Sequence, residues 1–344
     1  MISVLLNALK VFHISMEKNR IYKLICVFVI ALVGCSTAFY LFEGNPDMNY
    51  GDSLWWGFVT TTTVGYGDYY PETMGGRLFG VILMIIGIST FGFLTAAIAS
   101  IFVEKKMKEG LGLMDIKFKN HIVIIGWNKK SETMLNELIK DNPERKVVII
   151  SEIERLDLKN KNTYFVHGDP TIDETLIRAN IAYADIVMVV ADENLMNKDG
   201  MADAKSVLIC LAVDKFNTDI HLIAEVLNEE NIPHFERANV NDIIVSNQMS
   251  SRVMVRSAVY KNVSSVLKEL LTNSYGNQLY ECVINDEDAG MTFKELSSKY
   301  LCKYNAVILG IANKEVSLNP DKDTIIQKSD VIIYICDKKL YQSG

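Results

Sequence analysis

The stretch Asp52-Ser-Leu-Trp-Trp-Gly-Phe-Val-Thr-Thr-Thr-Thr-Val-Gly-Tyr-Gly-Asp68 decides the reading of this chain because of what stands on either side of it. Upstream, residues 24–42 form a run of 19 residues without a charge; downstream, residues 78–103 form another, of 26. Each is long enough, at about 1.5 Å per residue, to cross a hydrocarbon core about 30 Å thick. The second has length to spare, so its end should emerge into the cytosol as helix. The quoted stretch is too short to cross and must dip in and return. Asp52 reads as the cap of a short helix at its start. Irregular backbone at membrane depth is tolerated only where protein buries it or where it lines a water path.

Thr63-Val64-Gly65-Tyr66-Gly67-Asp68 resembles the selectivity-filter signature of potassium channels. The resemblance implies four such segments around one axis, whose rings of backbone carbonyls replace the hydration shell of K+. Gly65 and Gly67 permit backbone dihedrals that a side chain forbids. In this family the Thr63 hydroxyl adds an oxygen ring at the cytosolic mouth, Tyr66 braces the segment outward, and Trp55 and Trp56 are the bracing partners. Trp55 is expected to donate its indole N–H to Asp68. Where some relatives carry a glutamate to pair with the filter aspartate, this chain has Val59, so filter inactivation is expected to differ.

Basic flanks set the orientation. Lys10, Lys18, Arg20 and Lys23 precede the first span, Lys105, Lys106 and Lys108 follow the second, and residues 43–77 are acidic on balance. Both termini are therefore expected in the cytosol. Residues 1–20, with Val4, Leu5, Leu6, Leu9 and Phe12, read as an interfacial helix. A cleaved signal peptide is a poor reading of the first run, which lacks a small-residue cleavage site. Within the second run, Gly87 reads as a gating hinge or as a close-packing glycine, and Gly92 as a second position of either kind; a helical glycine costs about 1 kcal/mol against alanine. Ala96 and Ser100 stand where large-conductance relatives carry acidic rings, so a modest conductance is expected.

The bulk numbers fit a chain with a membrane part and a soluble part. Its 344 residues suit two or three domains. Hydrophobic residues make up 49%, with a mean hydropathy of +0.14. A net charge of −7 and the lack of a basic stripe argue against nucleic acid. Cys26, Cys35, Cys210, Cys282, Cys302 and Cys336 form no C-x-x-C pair and read as free thiols at apolar positions.

After a basic linker, residues 105–118, the periodicity changes. Short apolar runs at 121–125, 146–150, 163–166, 185–190, 219–224 and 242–245 alternate with helical segments. Runs of this kind, buried on both faces, predict a parallel sheet and a Rossmann-type doubly wound lobe over 119–245. Gly110-Leu-Gly-Leu-Met-Asp115, Gly126-Trp127, Phe165-Val-His-Gly-Asp-Pro-Thr171, Ile223-Ala-Glu225 and the basic pair Arg252 and Arg256 resemble the RCK (KTN) regulatory domain with its TrkA-N and TrkA-C lobes. From the filter to the C-terminus the chain is similar to the MthK-like, two-span, ligand-gated potassium channels of prokaryotes. That resemblance implies a crossover helix-turn-helix over 246–274 and a small α+β lobe over 275–344, with strands near 279–284, 306–311 and 331–336. It also implies a homotetramer in the plasma membrane whose RCK domains pair, as eight, into a gating ring beneath a pore domain of residues 21–104.

Two ligands compete for that ring. An ADP- or NAD-type nucleotide would use Gly126, Asn128 and Ser131, the remains of a glycine-rich turn, with Glu152 and Asp169 on ribose or base. Only the first glycine of that turn survives, so full NAD binding is weakened. Calcium needs six or more oxygens. The calcium-gated relatives imply Glu225, but their second glutamate falls at Leu227 and their aspartate near Val190, two residues before Asp192, so that site is damaged or shifted; the acidic loop Asp192, Glu193, Asp199 and Asp203 is an alternative cation site. His167 reads as structural. A subunit of a potassium uptake system and a membrane-anchored oxidoreductase are the rival readings. No catalytic acid–base constellation supports the latter.

Overall fold

The structure is a computed structural model that describes residues 20–158, 160–192, 195, 200–313 and 315–340. The expected interfacial helix over residues 1–20, and Glu193 and Asp199, lie outside the described residues apart from Arg20. The chain divides into two compact units between Met107 and Lys108.

The first unit holds α1 (Arg20–Glu43), α2 (Tyr50–Thr61) and all but the last three residues of α3 (Met74–Gly110). Both α1 and α3 are long and apolar enough to cross a membrane. At 37 residues, α3 is about 55 Å long, well beyond one hydrocarbon core. The cap of α2 differs from expectation. Asn49, in extended backbone, accepts from the Asp52 amide, and the Asp52 carboxylate accepts in return from the Asn49 amide at 2.9 Å. Asp52 is thus the third helical residue of a capping box rather than the cap.

Glycines bring the three helices together. A Cβ on Gly57 would lie 2.2 Å from Ser36 Oγ on α1, and one on Gly87 would lie 3.0 Å from Thr61 on α2. A Cβ on Gly87 would thus crowd α2, while one on Gly92 meets nothing within 4 Å. Phe39 and Trp56 stack at 3.7 Å in the core, beside the fully buried Leu83. At the far end, Glu43 accepts from the amides of Glu72 and Thr73 and from the Thr73 hydroxyl, which ties the end of α1 to the start of α3.

The second unit begins with the predicted parallel lobe. Strands β1 (Ile122–Ile125), β2 (Val147–Ser151), β3 (Thr163–His167), β4 (Ile186–Val189), β5 (His221–Val226) and β6 (Asp242–Val245) form one parallel sheet in the order β3-β2-β1-β4-β5-β6. Every residue of β1 and β2 is buried, which is why they read as unbroken apolar runs. Between the strands lie α4 (Lys129–Asp141), α5 (Asp173–Arg178), α6 (Met201–Asp214) and α7 (Ile232–Arg237). The strand order reverses between β1 and β4, so the crevice at their carboxyl ends is the place for a ligand.

Helices α8 (Ser246–Val259) and α9 (Val263–Leu270) follow, with no buried residue on either. A four-stranded antiparallel sheet closes the chain: β7 (Gln278–Val283), β8 (Val307–Ala312), β9 (Val316–Leu318) and β10 (Val331–Cys336), in the order β7-β10-β8-β9, with α10 (Phe293–Tyr304) packed on it. Strand β9 has no counterpart in the sequence reading, because three exposed residues carry no periodic signal. All six cysteines are free, but Cys302 is exposed rather than packed. Burial pushes the Cys210 thiol up to about 12.

His121, just before β1, is fully buried, with Nε2 3.1 Å from the Ala179 carbonyl and no partner at Nδ1. Burial lowers its pKa; the Ala179 carbonyl opposes that and Lys146 adds to it. An unfolded histidine titrates near pH 6.5, so below that pH the unfolded chain binds the proton the folded one refuses. This stabilisation is complete above about pH 6.5 and is lost as pH falls through the lower folded value. The melting temperature of the cytosolic unit in full-length protein is expected to drop on acidification below that pH. A His121→Gln variant should show a flatter profile; an equally steep one would assign the effect elsewhere.

Candidate functional site

The loop after α2 turns back on the helix that precedes it. The Thr63 amide donates to Thr60 O at 3.1 Å, and the Val64 amide to Val59 O at 3.1 Å. Left-handed backbone then recurs at every second residue: φ is 61° at Thr63, 60° at Gly65 and 75° at Gly67. Alternating hand turns successive carbonyls towards one side. That is the arrangement a dehydrated cation requires, and an extended strand does not supply it. The two glycines follow from the sequence. Thr63 does not: a β-branched residue at positive φ is an outlier that costs about 1–2 kcal/mol, and it is held here by the turn onto α2.

Trp55 Nε1 donates to Asp68 Oδ2 at 3.1 Å, as expected, and its ring lies parallel to Tyr66 with centroids 6.1 Å apart. Within one chain Trp56 stacks on Phe39 and braces α2 against α1.

The cytosolic unit has a cavity of about 380 Å³ at its crossover point, within the range of roughly 300–1,000 Å³ typical of ligand pockets. Gly126, Asn128, Glu152, Asp192 and Lys205 are among the residues that line it. Gly126 has φ 98°, and a Cβ there would come within 2.8 Å of Val190 O. Asn128 and Ser131 are committed to the protein itself. Asn128 Oδ1 accepts from the amides of Lys130 and Ser131, and the Ser131 hydroxyl donates to Gly126 O at 2.8 Å. Asp169 does not line the cavity; its carboxylate accepts from the amide and hydroxyl of Thr171. Glu152 does line it, at the end of β2, where an acid can meet a ribose.

Sequence reasoning missed the partner of Glu152. Lys205, on α6, places its ammonium 2.5 Å from Glu152 Oε2 and 3.1 Å from Asp192 Oδ2. Burial alone would lower the Lys205 pKa, but the two carboxylates outweigh it and hold the value above that of an ordinary lysine. Glu225 likewise meets Lys130 at 2.6 Å, and its other oxygen accepts from the Ala191 amide. The expected metal residues are thus split. Asp192 faces Lys205, Glu225 faces Lys130, and no group of three or more acidic, histidine or cysteine side chains among the described residues is placed to hold a metal ion.

Nor is Asp203 part of a solvated acidic loop. It is buried and accepts from the amides of Leu227 and Asn228, both at 3.0 Å, and from Asn231 Nδ2 at 2.7 Å. It thereby ties α6 to the end of β5. Asp203→Ala should leave two amides unmet and destabilise the cytosolic unit by about 3 kcal/mol. Denaturant unfolding of the full-length protein measures this, and a loss under about 0.5 kcal/mol would refute it.

Residues 19–104 match the ion channel family Ion_trans_2, 122–246 the TrkA-N domain, and 247–343 the Castor and Pollux domain described as part of a voltage-gated ion channel. The putative potassium channel protein YugO of Bacillus subtilis is 31% identical over 276 residues, which are 80% of this chain and 83% of that one. This chain belongs to the two-span potassium channels with a cytosolic RCK domain. The calcium-gated potassium channel TvoK of Thermoplasma volcanium is 28% identical over 330 residues, 94% of each chain. The solved GsuK channel shares the fold with a TM-score of 0.50 at 18% identity; the match covers 92% of this chain and 57% of that one.

In this channel the residues after α3 are stapled to the RCK lobe. Gly112 O accepts from the His167 amide at 3.0 Å and from Arg178 Nη2. Arg178 Nη1 reaches His167 O at 2.9 Å, and Gly110 O accepts from the Leu156 amide at 3.1 Å. His167 Nδ1 lies 2.8 Å from the carbonyl of Ile153, which lines the pocket beside Glu152. The pocket lip and the channel linker are therefore two hydrogen bonds apart.

Proposed function

We propose that four copies of this channel surround one potassium pore in the plasma membrane of a prokaryote, with both termini cytosolic, and that a nucleotide at the crossover pocket sets the open probability. The observation that carries the gating half is the cavity of about 380 Å³ whose lip, at Glu152 and Ile153, is joined through His167 to the linker. A ligand moves a gate only by binding its open and closed forms with different affinity. Ligand-dependent movement of that lip would reach Gly110 and Gly112 directly. Gly92, where an added Cβ would meet nothing within 4 Å in one chain, is the position at which α3 would bend.

A full dinucleotide fits the pocket poorly. The helix N-terminus that would receive its pyrophosphate is closed by Asn128. A single nucleoside with its phosphates fits better, its ribose on Glu152. Calcium gating, which the name of TvoK records for that relative, is less well supported at Glu225, because Lys130 supplies the positive charge there.

Channels of this family self-assemble. On α8 and in the segment that follows it, Met249, Met254, Val255, Val259 and Tyr260 are exposed. An apolar surface of this kind suits pairing of RCK domains into a ring.

Planar-bilayer recording from purified protein tests the reading, with ADP, NAD and calcium titrated on the cytosolic side. ADP is expected to change open probability at lower concentration than NAD, with calcium weaker than either. A channel that responds to calcium alone would overturn the nucleotide assignment. A detergent particle with the mass of a monomer would overturn the assembly.

A further inference from the structure

A phosphate normally meets a Rossmann-type lobe at the N-terminus of the helix after β1. Here that seat is filled by the protein. The amides of Lys130 and Ser131 donate to Asn128 Oδ1 at 2.9 and 3.1 Å, and the buried Ser131 closes the turn onto Gly126 O. An incoming phosphate would have to expel the side chain that caps α4. The cavity has one positively charged lining residue among those described, Lys205, and it enters from the opposite wall, on α6.

We propose that Lys205 is the phosphate-reading group of this pocket: a nucleoside mono- or diphosphate sets its ribose hydroxyls on Glu152 and its phosphate on the Lys205 ammonium, which turns from Asp192 to take it. The proposal rests on the nucleotide reading given above. The Lys205 side chain is about three-quarters buried, so its reach is fixed by the wall it lies along and its ammonium is delivered to the cavity. Glu152 reaches Lys205 through Oε2 and is half exposed, so a diol can approach its other oxygen.

Asp192 is the competitor. Glu152, Asp192 and Lys205 together carry one net negative charge, which opposes an anionic ligand until Asp192 gives way. The selectivity that follows is specific: each added phosphate gains from Lys205, and Asp192 limits that gain. Asp192→Asn removes the competing charge and leaves Lys205 in place.

Calorimetric titration of full-length channel in detergent, with adenosine, AMP and ADP as probes, tests this. Wild type should bind AMP at least about tenfold tighter than adenosine, the effect of one charge-assisted hydrogen bond. In Lys205→Met that ratio should fall to within about twofold. In Asp192→Asn the ratio should rise several-fold. A role for Lys205 in packing alone would weaken both ligands equally and leave the ratio intact. If the wild type binds AMP and adenosine but both variants keep its ratio, the role of Lys205 is overturned and the nucleotide reading stands. If the wild type binds none of the three probes, the nucleotide reading falls and this proposal with it. Should Lys205→Met fail to fold, the ratio in Asp192→Asn still decides, and an unchanged value counts against the proposal.

Discussion

Gly65→Ala is expected to abolish selective potassium conduction. The backbone at Gly65 has φ +60°, and a Cβ there would meet nothing within 4 Å. The penalty is therefore conformational and not a clash: an L-residue in left-handed backbone loses about 1–2 kcal/mol. Four copies on one axis would bring this to about 4–8 kcal/mol per pore, comparable to the whole stability of a domain. The loop relaxes, and the carbonyl that should face the ion turns away. Reversal potentials under potassium on one side and sodium on the other measure the result. A D-alanine at the same position, installed by semisynthesis, prefers positive φ and should restore selectivity. If L-alanine conducts potassium over sodium as well as glycine does, the alternating-hand account of the filter is wrong.

Arg178→Ala is expected to disconnect binding from gating. Arg178 ends α5, and its guanidinium donates to His167 O and Gly112 O, with Asp115 3.7 Å away. Hydrogen bonds from a charged donor contribute about 1.5–3 kcal/mol each, so removing both loosens the linker by about 3 kcal/mol or more. The pocket lining does not include Arg178, so nucleotide affinity should stay within about twofold. The ligand-driven shift in the open–closed equilibrium should fall by about tenfold to a hundredfold. Calorimetry and single-channel recording on the same preparation separate the two quantities. A variant that binds and gates like wild type would show that the staple is not the link. Gly112→Ala is the harsher companion change, since a Cβ there would lie 2.3 Å from the His167 amide nitrogen.

Much of the pore was legible from residue order because the chemistry is local. The two spans follow from uncharged length, and the glycines of the filter follow from the dihedrals their carbonyls demand. The parallel lobe was legible for a related reason: a strand buried on both faces must be apolar throughout, and β1 and β2 are. Other features carried no such mark. Three exposed residues in β9 have no pattern to read. A glycine in an apolar helix gives no sign of what it lies against, and the close approach of Thr61 to Gly87 belongs to the tertiary structure. Trp55 and Trp56 are neighbours in the chain, yet successive helical residues point about 100° apart, and within one chain Trp55 meets Tyr66 while Trp56 meets Phe39.

The order of residues alone determined that this chain has two membrane spans around a carbonyl-lined turn, followed by a doubly wound lobe, since each rests on periodicity or backbone freedom within a few residues. Only the tertiary structure decided which polar groups meet: Lys205 with Glu152 across 53 positions, Lys130 with Glu225 across 95, Arg178 with the Gly112 carbonyl across 66. Such pairs depend on where strands and helices come to lie after the sheet has formed, and one-dimensional spacing has no term for that. The carboxylates of the two suspected ligand sites looked available in the sequence, and folding brought a lysine to each.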